Sequence, residues 1–357
     1  MGLGTGAGVG LGSALEDGDG HRRLLRPAVR EGERFLNPVP TAVGEWSTVF
    51  KVLPQYLNNK EEKVPRLPLG PFRTDARVYE TPPVSGLRVT WMGHSTMLVE
   101  MDGVRVLIDP VWDERASPMR WAGPRRFFAA PLRLEEMPAV DVVLVSHDHY
   151  DHLGEATIRI LARAARMQEA EWVTSLGVGE ILEEYGVKRP RITEMDWTQR
   201  VGDADSLQIT AVPSRHFSGR SMFNRFGTLW SSFVLKGPQH NVYFGADSGW
   251  WPGFEEIGAE YGPFDLTMLE IGAYNELWKD IHMGPDGAAQ AFEELGGKGL
   301  LMPIHWGLFD LALHGWRQPI ERMMEIAEAK EIALWAPEPG LPTEVVKGES
   351  LRAEWWR

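Results

Sequence analysis

Four residues able to bind a metal fall within six positions: His147, His149, Asp151 and His152. Immediately before them, Val142 to Val145 is an apolar, mostly β-branched run that reads as a strand buried on both faces, and Ser146 begins the loop where it stops. A buried strand that delivers four such groups is costly, because each imidazole or carboxylate needs a partner once it leaves water. A metal supplies that partner. In an extended loop His147 and His149 point the same way, whereas Asp151 and His152, just ahead of an expected helix start, turn toward a neighbouring point. Two adjacent ions suit this spacing better than one. A histidine-rich surface loop would have no need of the buried strand before it.

The elements that must position these residues can be read on either side of the loop. Leu87 to Trp91, Thr96 to Glu100 and Val104 to Ile108 have the composition of strands, with Asp102-Gly103 as a hairpin turn. His94 and Asp109 stand near strand ends and fit equally a hydrogen-bonded turn or a place behind the ligands. Ser117 to Pro131 carries Gly123-Pro-Arg-Arg126 and no period, as a functional or partner-facing insertion would. Glu155 to Met167 places Ile158, Leu161, Ala162 and Ala165 on one face of an amphipathic helix. Trp172 to Thr174, Val178 to Tyr185 and Arg191 to Glu194 then alternate strand and helix, which puts helices outside a sheet.

Further strands are expected at Leu207 to Pro213, Thr228 to Lys236, Asn241 to Gly245, Leu266 to Ile271 and Gly299 to Ile304. Pro285-Asp286 opens a helix that runs to Leu295 and stops at Gly296-Gly297. Trp316 to Ala329 gives a last covering helix and Ile332 to Ala336 a closing strand. Two runs of strands interleaved with helices make an α/β chain, an αββα sandwich whose ligand loops meet at one edge of the two sheets. The catalytic domain is expected over 86–345, with a C-terminal tail over 346–357. Residues 1–20, rich in Gly with almost nothing to bury, predict a disordered tail. Residues 21–85 predict an arm packing on the body, with His21 to Arg34 as a short helix or extended arm and Trp46 to Leu57 as a helix broken at Pro54.

The 357 residues, 43% apolar and 24% charged, match a soluble protein with a large core. No apolar run approaches the roughly 20 residues that span a bilayer, and the first residues lack the pattern of a secretory signal. A cytoplasmic protein with at most peripheral membrane contact is expected, and a homo-oligomer is compatible with it. The formal charge of −13 argues against a nucleic-acid partner, which would be drawn to a basic surface; Arg120, Arg125 and Arg126 form only a local patch. The absence of cysteine excludes disulfides and thiolate ligands.

His-x-His-x-Asp-His after a buried strand resembles the signature of the metallo-β-lactamase superfamily. That resemblance implies three more ligands at strand ends, and His216, Asp247 and His305 stand where they are required. Within the superfamily the chain is similar to the N-acylphosphatidylethanolamine phospholipase D family. The matching residues are Phe35-Leu-Asn-Pro38, Gly93-His-Ser-Thr-Met-Leu-Val99, Ala116-Ser-Pro118, Gly123-Pro-Arg-Arg126 and Ser146 to Leu153. They continue through Glu194-Met-Asp-Trp197, Pro213-Ser-Arg-His216, Phe244-Gly-Ala-Asp247, Phe254-Glu-Glu-Ile-Gly258, Gly262-Pro-Phe-Asp265, Ile271-Gly-Ala-Tyr274 and Ile304-His-Trp-Gly307, so they span about residues 35–335.

The resemblance implies a zinc-dependent hydrolase with two Zn2+ ions, Mn2+ or Fe2+ being compatible with the same donors. His147, His149 and His216 would hold the first metal, Asp151, His152 and His305 the second, with Asp247 bridging. It further implies a phosphodiesterase of the phospholipase D type, acting on N-acylphosphatidylethanolamine-like phospholipids or small phosphodiesters through a metal-bridging hydroxide, with Asp151 and His282 as catalytic residues. His282 matches an active-site histidine of those phospholipases and would donate a hydrogen bond or a proton. A dinuclear hydrolase of a lactone or β-lactam is the alternative, since the same hydroxide attacks a carbonyl. For His314, His240 and His21 a structural role is expected.

Overall fold

A computed structural model describes residues 23–44, 54–55, 57–221 and 223–357. The expected tail over 1–20, and the expected helix over Trp46 to Leu57 except its helical residues 54, 55 and 57, lie outside the described residues. The arm begins extended and turns in a small hairpin of β1 (Arg30–Glu31) and β2 (Arg34–Phe35), so residues 23–34 form no helix. It is tied down by backbone donors: Leu24 and Leu25 N–H groups meet the Glu256 carboxylate, and Ala28 N–H meets Asp196. Leu25 and Phe35 are buried there.

Strands β3 (Leu87–Gly93), β4 (Thr96–Met101), β5 (Val104–Ile108), β6 (Val142–Val145), β7 (Glu171–Ser175) and β8 (Ile192–Met195) form the first sheet, which β16 (Thr343–Glu344) joins beside β3. The hairpin part is antiparallel, and β5 through β8 run parallel. The second sheet holds β9 (Arg200–Gly202), β10 (Gln208–Val212), β11 (Ser232–Lys236), β12 (Asn241–Phe244), β13 (Leu266–Glu270) and β14 (Leu300–Ile304) in sequential order, with β12 through β14 parallel. A parallel pair buries both faces, and β12 through β14 are correspondingly buried throughout.

Alternation along the strands divides the core. Met97, Val99 and Met101 of β4 join Val106, Ile108 and Leu144 in the cluster that also contains the strands of the second sheet. Their neighbours Leu98, Leu107, Val143 and Val145 face the other way, under α1 (Glu155–Leu161) and α2 (Val178–Glu184). Beside the second sheet lie α3 (Gly253–Tyr261), α4 (Gly284–Glu294) and α5 (Gln318–Ala329). The layers are helix, sheet, sheet, helix.

Two local expectations are corrected, and one element is added. The first covering helix ends at Leu161 instead of Met167, because Ala164 turns extended and Gln168 Nε2 caps the carbonyls of Ala162 and Ala164; a short 3-10 turn then buries Met167. A helix that no expectation covered, α3, forms from Phe254, Ile257 and Tyr261, which share one helical face. Residues 346–357 are built into the body. Leu351–Arg352 (β17) pairs with Trp335–Ala336 (β15), and Trp355 stacks on Trp306 at 5.2 Å, because aromatic surface of this size is worth burying.

On the outer side of β4, Glu100 is 4% exposed and receives Arg88 Nε at 2.5 Å and Arg105 Nε at 3.1 Å. Removing one partner of a buried pair strands the other, at a cost of about 3–5 kcal/mol. Glu100→Ala should lower the urea-unfolding free energy by about that much, whereas replacing Arg88 and Glu100 together by Met and Leu should cost far less. A single-mutant loss within the error of the measurement would show that water reaches the pair.

Candidate metal centre

The chemistry-bearing side chains gather beyond the carboxyl ends of strands, where open α/β sheets place their sites. His94 follows β3, Asp109 follows β5, His147 to His152 follow β6, His216 follows β10, Asp247 follows β12 and His305 follows β14. The arm also reaches this edge: Asn37 receives the His216 N–H at 3.0 Å and donates its own Nδ2–H to the His216 carbonyl at 2.8 Å.

Three overlapping groups of potential ligands form among the described residues: Asp247 belongs to two of them, one being Asp247, Glu270, His282 and His305, and the other two groups hold the seven expected ligands. His147, His149, His216 and Asp247 offer ligand atoms within 4.8 Å of one another. His147 Nε2 lies 2.9 Å from His149 Nδ1, which lies 3.2 Å from His216 Nε2. Nitrogens this close suit ligands of a single ion with bonds of about 2.0–2.1 Å. The second group is His94, Asp151, His152 and His305. Asp247 stands between the two, with Oδ1 3.2 Å from His152 Nε2 and Oδ2 at 3.1, 3.6 and 3.9 Å from His305, His216 and His147. All seven expected ligands converge, and His94 adds an eighth side chain through Nε2, 3.0 Å from Asp151 Oδ2.

A supporting layer fixes the rings. Asp109, fully buried, accepts from Ser146 N–H and Oγ–H and lies 2.7 Å from His152 Nδ1. His216 Nδ1 lies 2.9 Å from the Ile281 carbonyl and His147 Nδ1 2.9 Å from Ser146 Oγ. In each case one ring nitrogen is engaged from behind and the other is aimed at the cluster, the arrangement that orients a metal-bound histidine. Glu270, at the end of β13 and fully buried, does the same for His282: Oε2 lies 2.6 Å from His282 Nδ1, and Oε1 accepts from Met283 N–H at 3.1 Å.

The electrostatics fit a cation. Burial pushes His147, His149 and His216 below the ordinary imidazole range, so they are neutral, as metal ligands must be. Burial also opposes charging His152 and His305, but Asp247 and Asp151 override it, holding His152 well above its usual value and His305 at about 10. Asp151 and Asp247, which burial alone would raise, are held well below the carboxylate range, chiefly by His152. The buried carboxylates demand positive charge. Without an ion they take it from protons, yet His152 Nε2, His305 Nε2 and Asp247 Oδ1 still lack hydrogen bonds. Unpaired buried polar atoms cost about 1–3 kcal/mol each, so the donor set fits metal ions better than it fits itself.

A cavity of about 340 Å³ opens over the cluster, lined by His149, Asp151, Asp247, His282 and His305 with apolar Phe217, Trp278 and Leu311. Larger hollows, about 690 Å³ against the arm and 840 Å³ against residues 112–130, include none of these ligands. Asp151 and His282 both face the small cavity. His240 is engaged elsewhere, with Asp102, and His314 stacks on Tyr274; His21 lies outside the described residues. The residue that sequence reasoning missed is Glu270, whose only signal was a lone carboxylate at the end of an apolar strand.

Residues 104–306 match the Beta-lactamase superfamily domain. An uncharacterized protein of Mycobacterium tuberculosis is 47% identical over 275 residues, covering 76% of this chain and 72% of that protein. The N-acyl-phosphatidylethanolamine-hydrolyzing phospholipase D 1 of Caenorhabditis elegans is 32% identical over 257 residues, 69% of this chain and 71% of the relative. Among solved structures, an isothiocyanate hydrolase from Delia radicum gut bacteria superposes with a TM-score of 0.57 at 19% identity, over 72% of this chain and 99% of that one, a likeness of fold. The chain thus belongs to the metallo-β-lactamase superfamily of metal-dependent hydrolases, in the branch that contains the N-acylphosphatidylethanolamine-hydrolysing phospholipases D.

Proposed function

We propose that the protein is a di-zinc phosphodiesterase of the phospholipase D type, acting on N-acylphosphatidylethanolamine-like phosphodiesters. The observation that carries this reading is the His282–Glu270 pair beside the two ligand groups. An alkoxide leaving a phosphodiester must take up a proton, and a positioned imidazole beside the ligand groups can supply it. The kinship with the nematode phospholipase supports the substrate class.

His147, His149 and His216 would hold one ion and Asp151, His152 and His305 the other, with Asp247 within reach of both. Bound there, the ions supply Lewis-acid polarisation of phosphoryl oxygens and an attacking water of lowered pKa. Asp109 and Ser146 keep His152 and His147 oriented. Glu270 Oε2 holds His282 Nδ1–H, and in the imidazolium form the other ring nitrogen carries the proton that passes to the departing alkoxide oxygen, leaving the neutral ring on Glu270. Phe217, Trp278 and Leu311 exclude water around the reacting group and offer apolar surface to an acyl or alkyl portion.

Elemental analysis should find about two metals per chain, mostly zinc; Asp247→Ala should lose metal and activity while its circular dichroism stays near that of the wild type. An active, metal-free preparation would end this reading, and normal turnover by the Asp247 variant would remove that residue from the ligand set.

His282→Ala should keep its metals and lose on the order of 10²-fold in kcat toward a phosphodiester with an alkoxide leaving group, within the usual range for general acids. Toward a p-nitrophenolate leaving group, which needs no proton, the loss should be much smaller. Equal losses would mean that the ring only positions substrate. No loss on either, with turnover of a lactone or nitrocefin, would transfer the reading to carbonyl chemistry.

A further inference from the structure

Arg225 is the one Lys or Arg lining the cavity over the metal centre among the described residues. Its guanidinium carbon stands 5.0 Å from the centroid of Phe217, whose ring is 4.6 Å from that of His149, so one aromatic side chain separates it from a ligand. Its single hydrogen bond is a long one, 3.4 Å to the Gly44 carbonyl, and no carboxylate comes within ion-pair distance among the described residues. The neighbouring arginines differ. Arg215 pairs with Asp280 at 2.8 Å and bonds Thr41 and Trp250, and Arg220 bonds the carbonyls of Asp148 and Leu153.

Arg225 is also placed against its own interest. It is partly buried, which penalises its charge, and it feels the like charge of Arg34. A guanidinium offers five donors in a fork that matches two oxygens of a phosphate or carboxylate. The chain as a whole carries −13, so an anionic substrate approaches a repelling molecule unless positive charge is presented locally.

We propose that Arg225 is the substrate-selecting cation of this pocket, reading the negative charge of a phosphodiester and favouring it over neutral esters and lactones. The proposal deepens the phosphodiesterase reading and rests on it for the identity of the anion. It assigns Phe217 a second task, since the ring that packs on His149 also carries the guanidinium through a cation–π contact.

The test uses the metal-loaded full-length protein and two substrates with one leaving group, bis-p-nitrophenyl phosphate, an anion, and p-nitrophenyl acetate, which is neutral. In Arg225→Gln, kcat/KM for the diester should fall at least about tenfold, the size of one lost charge-assisted hydrogen bond, mainly through KM. The acetate rate should stay within about twofold, metal content should not change, and Arg225→Lys should recover part of the loss. The fall of the diester rate with ionic strength should flatten in the Gln variant. Equal losses on both substrates, loss of metal, or an unchanged diester rate would each overturn the proposal. If the wild type hydrolyses the acetate alone, the phosphodiester reading fails by itself. Arg225 is then judged from the inhibition of acetate hydrolysis by dimethyl phosphate, which the Gln variant should weaken at least about tenfold; an unchanged inhibition constant would overturn the role.

Discussion

The Asp247 carboxylate is 3% exposed and stands among four imidazoles, and much of the structure around it is a consequence of that placement. A buried carboxylate is tolerable only beside positive charge. The charge must come either from protonated His152 and His305 or from ions shared with His147, His149 and His216. Asp247 hangs from the second sheet, as do His216 and His305, while the remaining ligands hang from the first. One carboxylate therefore holds the facing edges of both sheets to a common point, and neither sheet could shift relative to the other without stranding it.

That convergence is bought with backbone strain. Of ten described non-glycine residues with positive φ, five border the site: His94 at 55°, Asp109 at 41°, Ala246 at 48°, Ala273 at 56° and His305 at 61°. Each such conformation costs about 1–3 kcal/mol and persists only where its surroundings enforce it. They do so here: the His305 N–H donates to the His94 carbonyl at 3.0 Å, and Trp91 Nε1–H donates to the same oxygen at 2.8 Å. Gly272 is required for a related reason, since a Cβ there would lie 2.0 Å from the His305 carbonyl oxygen. Sharp turns at strand ends let side chains from separate strands point inward together, which extended backbone would not allow.

How much was legible in the sequence follows from how each part is encoded. The metal loop was plain because four ligands sit within six residues after a single apolar strand. Most strand positions were clear, since β-branched runs carry their own period, but the strand expected over Thr228 to Lys236 begins at Ser232, the closing strand over Ile332 to Ala336 is only Trp335–Ala336, and β9 was not foreseen. His216, Asp247 and His305 are isolated in sequence and emerged only through resemblance. Glu270 stayed hidden, because one carboxylate closing a strand has no pattern until β13 places it beside the segment that carries His282. Helix α3 was obscured by Gly253 and Gly258, which lower helix propensity, although Phe254, Ile257 and Tyr261 kept the helical spacing. The final residues read as a tail because their burial depends on Trp306 and Trp91, far away in sequence.

Scaffold and pocket therefore answer to different constraints. The same fold is shared, at 19% identity, with the isothiocyanate hydrolase. A fold so reused cannot by itself choose a substrate. What distinguishes one member from another must lie in the cavity wall, here assembled from Val43 of the arm, Phe217 and Arg225 of the loop after β10, Trp278 and His282 before α4, and Leu311 after β14. These segments carry little of the core, so they can change without unfolding the sheets. The imidazoles that face Asp247 are less free to change, because losing one leaves that carboxylate short of the positive charge that makes its burial tolerable.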